Sequence, residues 1–268
     1  ISNSSIDLQI ENLPFFDGAS LGGVVGSNPG NDIKILNSRI EVYFGYDRTD
    51  INGGLTTSQV GGVLGELTGN SLLIERSIVL ANHFFASGDG SGAKDIGGIV
   101  GLVGNNETVT ISNTAIFFDY NKDGTYSQVG GITGDIQGAL DLHNIIIVSS
   151  LDITYSKNSD DSLSHFAVDD ASPGSYVIPK SDSSINSNGE FVVFWDFTNS
   201  YIDASVSSNN YVGGYNQLDE NNIILASTFN DAGWSINTSD SIWKIIPGET
   251  LPYLAWQEEP LPEQIINP

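Results

Sequence analysis

A degenerate two-step unit recurs along this chain, and self-similarity of this kind dictates architecture ahead of any single motif. The first step is Gly-Gly-apolar: Gly22-Gly23-Val24-Val25-Gly26, Gly61-Gly62-Val63-Leu64-Gly65, Gly97-Gly98-Ile99-Val100-Gly101 and Gly130-Gly131-Ile132-Thr133-Gly134, with a worn copy at Gly213-Gly214-Tyr215. From Gly22 to Gly61, Gly97 and Gly130 the spacings are 39, 36 and 33 residues. The second step is Ile-x-Asn-Ser/Thr-x-Ile, seen at Ile1–Ile6, Ile35–Ile40 and Ile111–Ile116, as Phe197–Ile202, and in looser form ending at Ile78 and Ile147. The two steps alternate. Because a complete second step begins at residue 1, with no initiator Met and no Gly-Gly element ahead of it, the chain is expected to start in mid-repeat, as a processed product or an excerpt of something larger.

Each unit holds short runs rich in Val, Ile, Phe and Tyr, such as Ile40 to Phe44, Ile78 to Phe85 and Ile116 to Tyr120, bounded by Gly, Asn, Asp and Ser. That is strand and turn chemistry, and no segment shows sustained helical spacing with capping signals. The reading is an all-β fold, a right-handed parallel β-helix (β-solenoid) with about one coil per repeat, Ile, Val and Leu stacked inside, and paired glycines where backbone must approach backbone. Residues 1–155 read as coils and 156–189 as a polar insertion or long loop. Residues 190–256 read as the last coil and an aromatic-rich C-terminal cap carrying Trp234, Trp243 and Trp256. The tail, 257–268, with three Pro and three Glu, reads as a linker.

At these residues the chain resembles the GLUG repeats of bacterial and archaeal surface proteins. Gly233-Trp234, Trp243 and Gly248-Glu249-Thr250-Leu251-Pro252-Tyr253-Leu254 resemble the segment that often closes such arrays. The likeness covers Leu21 to Ile147 and Glu190 to Trp256. It implies a surface-exposed β-solenoid of the kind found in secreted adhesins, in cell-wall proteins and beside protease domains, and it supplies no activity.

Nine Lys and Arg against 33 Asp and Glu give a net charge of -24. Such a field repels phosphate backbones and anionic membranes, so nucleic acid is excluded as a partner. No apolar run approaches the roughly 20 residues that span a bilayer, so no membrane insertion is expected within this chain. The absence of both Cys and Met suits an extracellular, cell-surface location.

Candidate sites are few. Asp119-x-Asn121-x-Asp123-Gly124 reproduces the opening half of a calcium loop; it is either a Ca2+ site completed by carboxylates such as Asp47, Asp50, Asp89 or Asp95 from neighbouring loops, or a solvated turn. An EF-hand is excluded, since Gly130 stands where its bidentate Glu would be. His83, His143 and His165 lack a second ligand at metal spacing and read as surface or strand-edge histidines. The rings of Tyr43, Tyr46, Phe84, Phe85, Phe117, Phe118, Tyr120 and Tyr126 fall at similar places in successive repeats and are either core or an exposed sugar-stacking platform. Asn3, Asn106 and Asn237 begin N-glycosylation patterns, which an Asn- and Ser-rich chain produces by chance.

A polysaccharide lyase or hydrolase needs a cationic cleft or a marked carboxylate pair. The nine basic residues are dispersed, and Asp160-Asp161, Asp169-Asp170 and Asp196 carry no second feature, so no catalytic residue is assigned and the chain is not expected to be an enzyme. The leading expectation is a non-catalytic module of a surface adhesin or envelope protein. It would display loops and bind a host or envelope glycan, a surface protein or calcium. The alternative is a filament or surface-layer subunit that binds copies of itself by strand addition through Ile1, Ile6, Leu8 and Ile10.

Overall fold

In the computed structural model the described residues are 1–10, 20–46, 59–85, 95–122, 128–149, 162–164, 167–168, 184–186, 191–196, 201–206, 216–217, 225–231 and 234–265. They form an all-β protein in which successive stretches of chain (here rungs) add parallel strands in turn to two short sheets and one long sheet, the long sheet receiving segments on both sides of a bend, as in Ile33–Leu36 with Arg39–Tyr46 and Ser71–Glu75 with Ile78–Phe85. The first short sheet stacks Ser20–Gly22, Gln59–Gly61, Asp95–Gly97, Gln128–Gly130 and Ser162–Ser164. The second stacks Val25–Asn28, Leu64–Leu67, Val100–Val103, Thr133–Ile136 and Ala167–Val168. The long sheet runs in parallel through Ser5–Ile10, Arg39–Tyr46, Ile78–Phe85, Thr108–Lys122, Ala139–Ser149 and Phe191–Asp196, then ends in antiparallel Tyr201–Val206 and Asn216–Gln217.

Register explains the apolar runs. Ile6, Ile40, Val79, Ile116 and Ile147 pair one above the next, and the last four are fully buried. Leu72, Val109 and Leu140 form a parallel interior column. Like stacks on like, so each rung completes the core of its neighbours.

The Gly-Gly step is the corner between the two short sheets. A Cβ on Gly61 or Gly97 would strike the carbonyl of Leu64 or Val100 in its own rung, and one on Gly62 would strike the Gly98 carbonyl of the next. No φ there demands glycine; close backbone approach does. The apolar residue after it then shares one acceptor between two donors: Val63 and Leu64 N–H both reach Ile99 O at 3.0 Å, as Ile99 and Val100 N–H both reach Ile132 O at 2.9 Å.

The Ile-x-Asn-Ser/Thr-x-Ile step is a bend in the long sheet. Asn3, Asn37, Asn113 and Asn144 hold φ between 47° and 49°, the left-handed region Asn tolerates best after Gly, and Arg76 holds the same bend at 50°. The hydroxyl beside each bend ties rungs together. Ser77 Oγ donates to Glu75 O at 2.9 Å and accepts from Ser38 N–H at 3.2 Å, while Thr114 Oγ1 donates to Ser112 O at 2.8 Å and accepts from Ser77 N–H at 3.4 Å. At Ile145 the hydroxyl is absent and the ladder stops.

The expected C-terminal cap is displaced from the position the sequence suggested. Ala226–Asp231 forms a short helix and Trp243–Lys244 pairs antiparallel with Tyr253–Leu254. Phe229, Trp234, Trp243, Leu251 and Leu254 pack on Ile78, Ala115, Phe117 and Ile146, which point outward from the long sheet. The aromatics therefore cover the side of the stack at its third to fifth rungs. The tail does not behave as a linker as far as residue 265: Gln257 Nε2 donates to Gln264 Oε1 at 3.0 Å, both glutamines are buried, and Leu251 N–H donates to Gln264 O at 2.8 Å. Buried amides in mutual hydrogen bonds outweigh the prolines and glutamates that suggested an open chain.

Ser77→Ala would strand the buried Ser38 N–H and should cost about 1–3 kcal/mol in urea unfolding. Arg76→Asn relieves a left-handed Arg and should gain roughly 1 kcal/mol. A loss on Arg76→Asn would show that the Arg side chain matters more than its backbone.

Candidate functional site

The outward face of the long sheet divides in two. On its third to fifth rungs the outward positions are apolar, Ile78, Leu80, Ala115, Phe117 and Ile146, because the C-terminal segment covers them. On the first two rungs these columns carry Ser5 and Asp7, then Arg39 and Glu41, and the next column carries Gln9 and Tyr43, none of them fully buried. Arg39 Nη2 meets Glu41 Oε2 at 2.7 Å. One column further along, Asn82 Nδ2 donates to Asp119 Oδ2 at 3.4 Å.

Asp119, the first residue of the candidate calcium loop, is thus exposed on the strand Thr108–Lys122, and Asn121 lies two residues on in the same strand. An extended backbone sets such positions about 7 Å apart, wider than the wrapping of a calcium loop. Asp123 lies outside the described residues. Among the described residues no group of three His, Cys, Asp or Glu is placed to hold a metal ion. Of the proposed donors from other loops, Asp95 is described; it is buried at the start of a short strand, where Gln59 Nε2 reaches its Oδ2 at 3.3 Å.

The assembly residues sit at the first rung. Ile1 is exposed, with its ammonium donating to Lys34 O at 3.0 Å. Ile6, Leu8 and Ile10 alternate with exposed residues along Ser5–Ile10 and are half-buried; Leu8 and Ile10 pack on the core. This strand pairs with Arg39–Tyr46 and with no second strand among the described residues.

His83 corrects the reading of a surface or strand-edge histidine. It is fully buried, stacked on Phe44 at 5.4 Å between ring centroids and edge-on to Phe118 at 5.5 Å. Desolvation lowers its pKa to about 4, against a backbone hydrogen bond with Gly97 that raises it. It is neutral at ordinary pH and serves as core. His143 lies in the strand Ala139–Ser149, and His165 is outside the described residues. Phe118 is core and Phe117 lies under the C-terminal segment, so neither offers a ring to solvent. Tyr43 is half-buried on the open face; Tyr46, Phe84, Phe85 and Tyr120 lie on strands and Tyr126 is outside the described residues.

The three Asn-x-Ser/Thr sites differ. Asn106 is exposed in a turn, and Asn3 forms the first bend. Asn237 is consumed: its amide donates to Ile245 O and accepts from Ile245 N–H, both at 3.0 Å.

The sequence reading missed the environment of Trp256. Assigned to the cap as covering bulk, it is 43% exposed, with Nε1 donating to Arg76 O at 2.9 Å. Its place two residues after the apolar run ending at Leu254 was visible; which ring would face water was not.

Among the described residues no helix is long and apolar enough to cross a membrane. No family model, curated protein or solved structure matches the chain.

The folded pKa of His83 lies below the 6.5 of the unfolded chain, so its contribution is fully present above pH 6.5 and is lost as pH falls from 6.5 towards 4. The loss should reach about 3 kcal/mol, and His83→Leu should remove that part of the pH dependence of unfolding. Parallel pH profiles for the two proteins would mean that His83 is not the titrating group.

Proposed function

We propose that this chain is a right-handed parallel β-helix of the GLUG-repeat kind, and that it serves as a non-catalytic, extracellular display module of a surface adhesin or envelope protein. One observation carries the reading: the polar residues the repeat conserves along its own length are consumed in building it. The asparagines make bends, the hydroxyls link rungs, and the glycines admit backbone at corners. What differs from rung to rung is the span between the end of a long strand and the next short one: 47–58, 86–94 and 123–127. A scaffold of constant rungs joined by variable spans suits display, with specificity held outside the repeat. Calcium belongs to this reading only if Asp119 and Asn121 leave their extended spacing to bind it with Asp123, and a rise in melting temperature with Ca2+ that Asp119→Ala removes is the outcome that would place it there.

The first rung favours a second reading, a subunit that assembles by strand addition. Its half-buried Ile6, Leu8 and Ile10, on the strand that ends the long sheet among the described residues, are what a neighbouring strand would extend.

Light scattering on the size-fractionated chain, followed by a glycan array with product analysis, separates these. A monomer that binds glycan without turnover fits the display module. Filaments lost on deleting residues 1–16 would replace it with the assembling subunit, and released product would replace it with an enzyme.

A further inference from the structure

The boundary between the covered and open halves of the long sheet's outward face is held by Trp256. Trp234 and Trp243 are buried in the C-terminal segment, whereas Trp256 leaves much of its ring in water. Its polar edge is already satisfied by the Arg76 carbonyl, so the indole is anchored at a fixed bend and what it offers solvent is apolar ring. A large ring held exposed by a rigid backbone contact is preorganised for a flat partner.

Its surroundings are two Arg–Glu pairs. Arg76 Nε lies 3.3 Å from Glu75 Oε1 at the same bend, and in the rung below Arg39 pairs with Glu41 at 2.7 Å. The bends stack: Asn37, two residues before Arg39, donates its N–H to Glu75 O. Successive rungs are about 5 Å apart, so the ring and both pairs share one corner of the molecule. All four charged side chains are at least a third exposed, a setting in which such pairs add little to stability. They do present fixed donors beside fixed acceptors. The corner holds two of the chain's nine basic residues, each beside a carboxylate, with exposed Asp7 in register with Glu41 and exposed Glu258 and Glu259 just beyond Trp256, on a protein of net charge -24.

We propose that this corner is a binding site for a neutral glycan. The apolar face of a pyranose would lie on Trp256, and its vicinal hydroxyls would bridge the Arg76–Glu75 and Arg39–Glu41 pairs. Acidic sugars are disfavoured, because both guanidinium groups already have carboxylate partners and the protein's field repels anions. No bond is made or broken. The inference rests on the display reading and names the ligand class for it.

The test titrates the full chain with cellohexaose, mannohexaose and hexagalacturonate, following tryptophan fluorescence and calorimetric heat. At least one neutral hexasaccharide should bind saturably and the uronate should not. Trp256→Ala should weaken that binding about tenfold or more, and Trp256→Phe should keep it within about threefold. Should Trp256→Ala fail to fold, Glu41→Ala, on an exposed side chain, should still weaken binding about threefold or more. Absence of binding by both neutral probes overturns the site, as does preference for the uronate or unchanged affinity in the folded variants. Glycan binding untouched by Trp256→Ala would reject this corner alone, whereas cleavage of a hexasaccharide would reject the display reading beneath it.

Discussion

A hydrogen-bond circuit through the hydroxyls of Ser38, Ser77 and Thr114, at three successive bends of the long sheet, sets the register on which everything else depends. The carbonyl before the bend accepts twice: Glu75 O takes Asn37 N–H from the rung before and Ser77 Oγ from its own. Ser112 O likewise takes Arg76 N–H and Thr114 Oγ1, and each hydroxyl oxygen accepts in turn the N–H of its equivalent one rung earlier. A slip of one residue would turn every inward Ile outward and orphan these buried groups together. Hydrophobic stacking supplies the driving force, but it is indifferent to which Ile meets which. The circuit is what specifies that Ile40 lies on Val79 and Val79 on Ile116.

With register fixed, the two faces of the long sheet take different work. The inner face is continuous core along the stack. The outer face changes character partway, and the change follows the reach of the C-terminal segment. Its aromatic cluster needs an apolar bed, which Ile78, Ala115, Phe117 and Ile146 provide; Trp243 Nε1 also reaches Asn113 Oδ1 at 3.4 Å. The same asparagine thus bends the strand and receives the covering segment. Where cover ends, the face becomes polar and Trp256 stands at the edge.

Much of this was legible in sequence because a repeat states its geometry several times. Glycines in pairs, an Asn before a hydroxyl, and Ile at fixed offsets each have one physical use in stacked parallel strands. The covering segment was harder to place, yet a signal existed: Arg39–Tyr46 alternates polar and apolar, as a strand with one wet face should, whereas Ile78–Phe85 opens with Ile-Val-Leu-Ala and so declares both faces dry. His83 was misread because an isolated titratable residue has no sequence mark of burial; only its strand partner Phe44 and nearby Phe118 show why a neutral imidazole stacks there. The tail was misread for the opposite reason, since its prolines and glutamates are conspicuous and the two glutamines that tie it down are not.

The covering segment also divides the stack mechanically. Tension along the long sheet from its first rung would load the ladder between Ser5–Ile10 and Arg39–Tyr46 first, because the C-terminal cluster packs on later rungs. At the third rung the load would meet Trp256 on Arg76, and behind it a cluster that grips three rungs at once. The C-terminal segment therefore works as a strap across the third to fifth rungs that leaves the first two outside its grip.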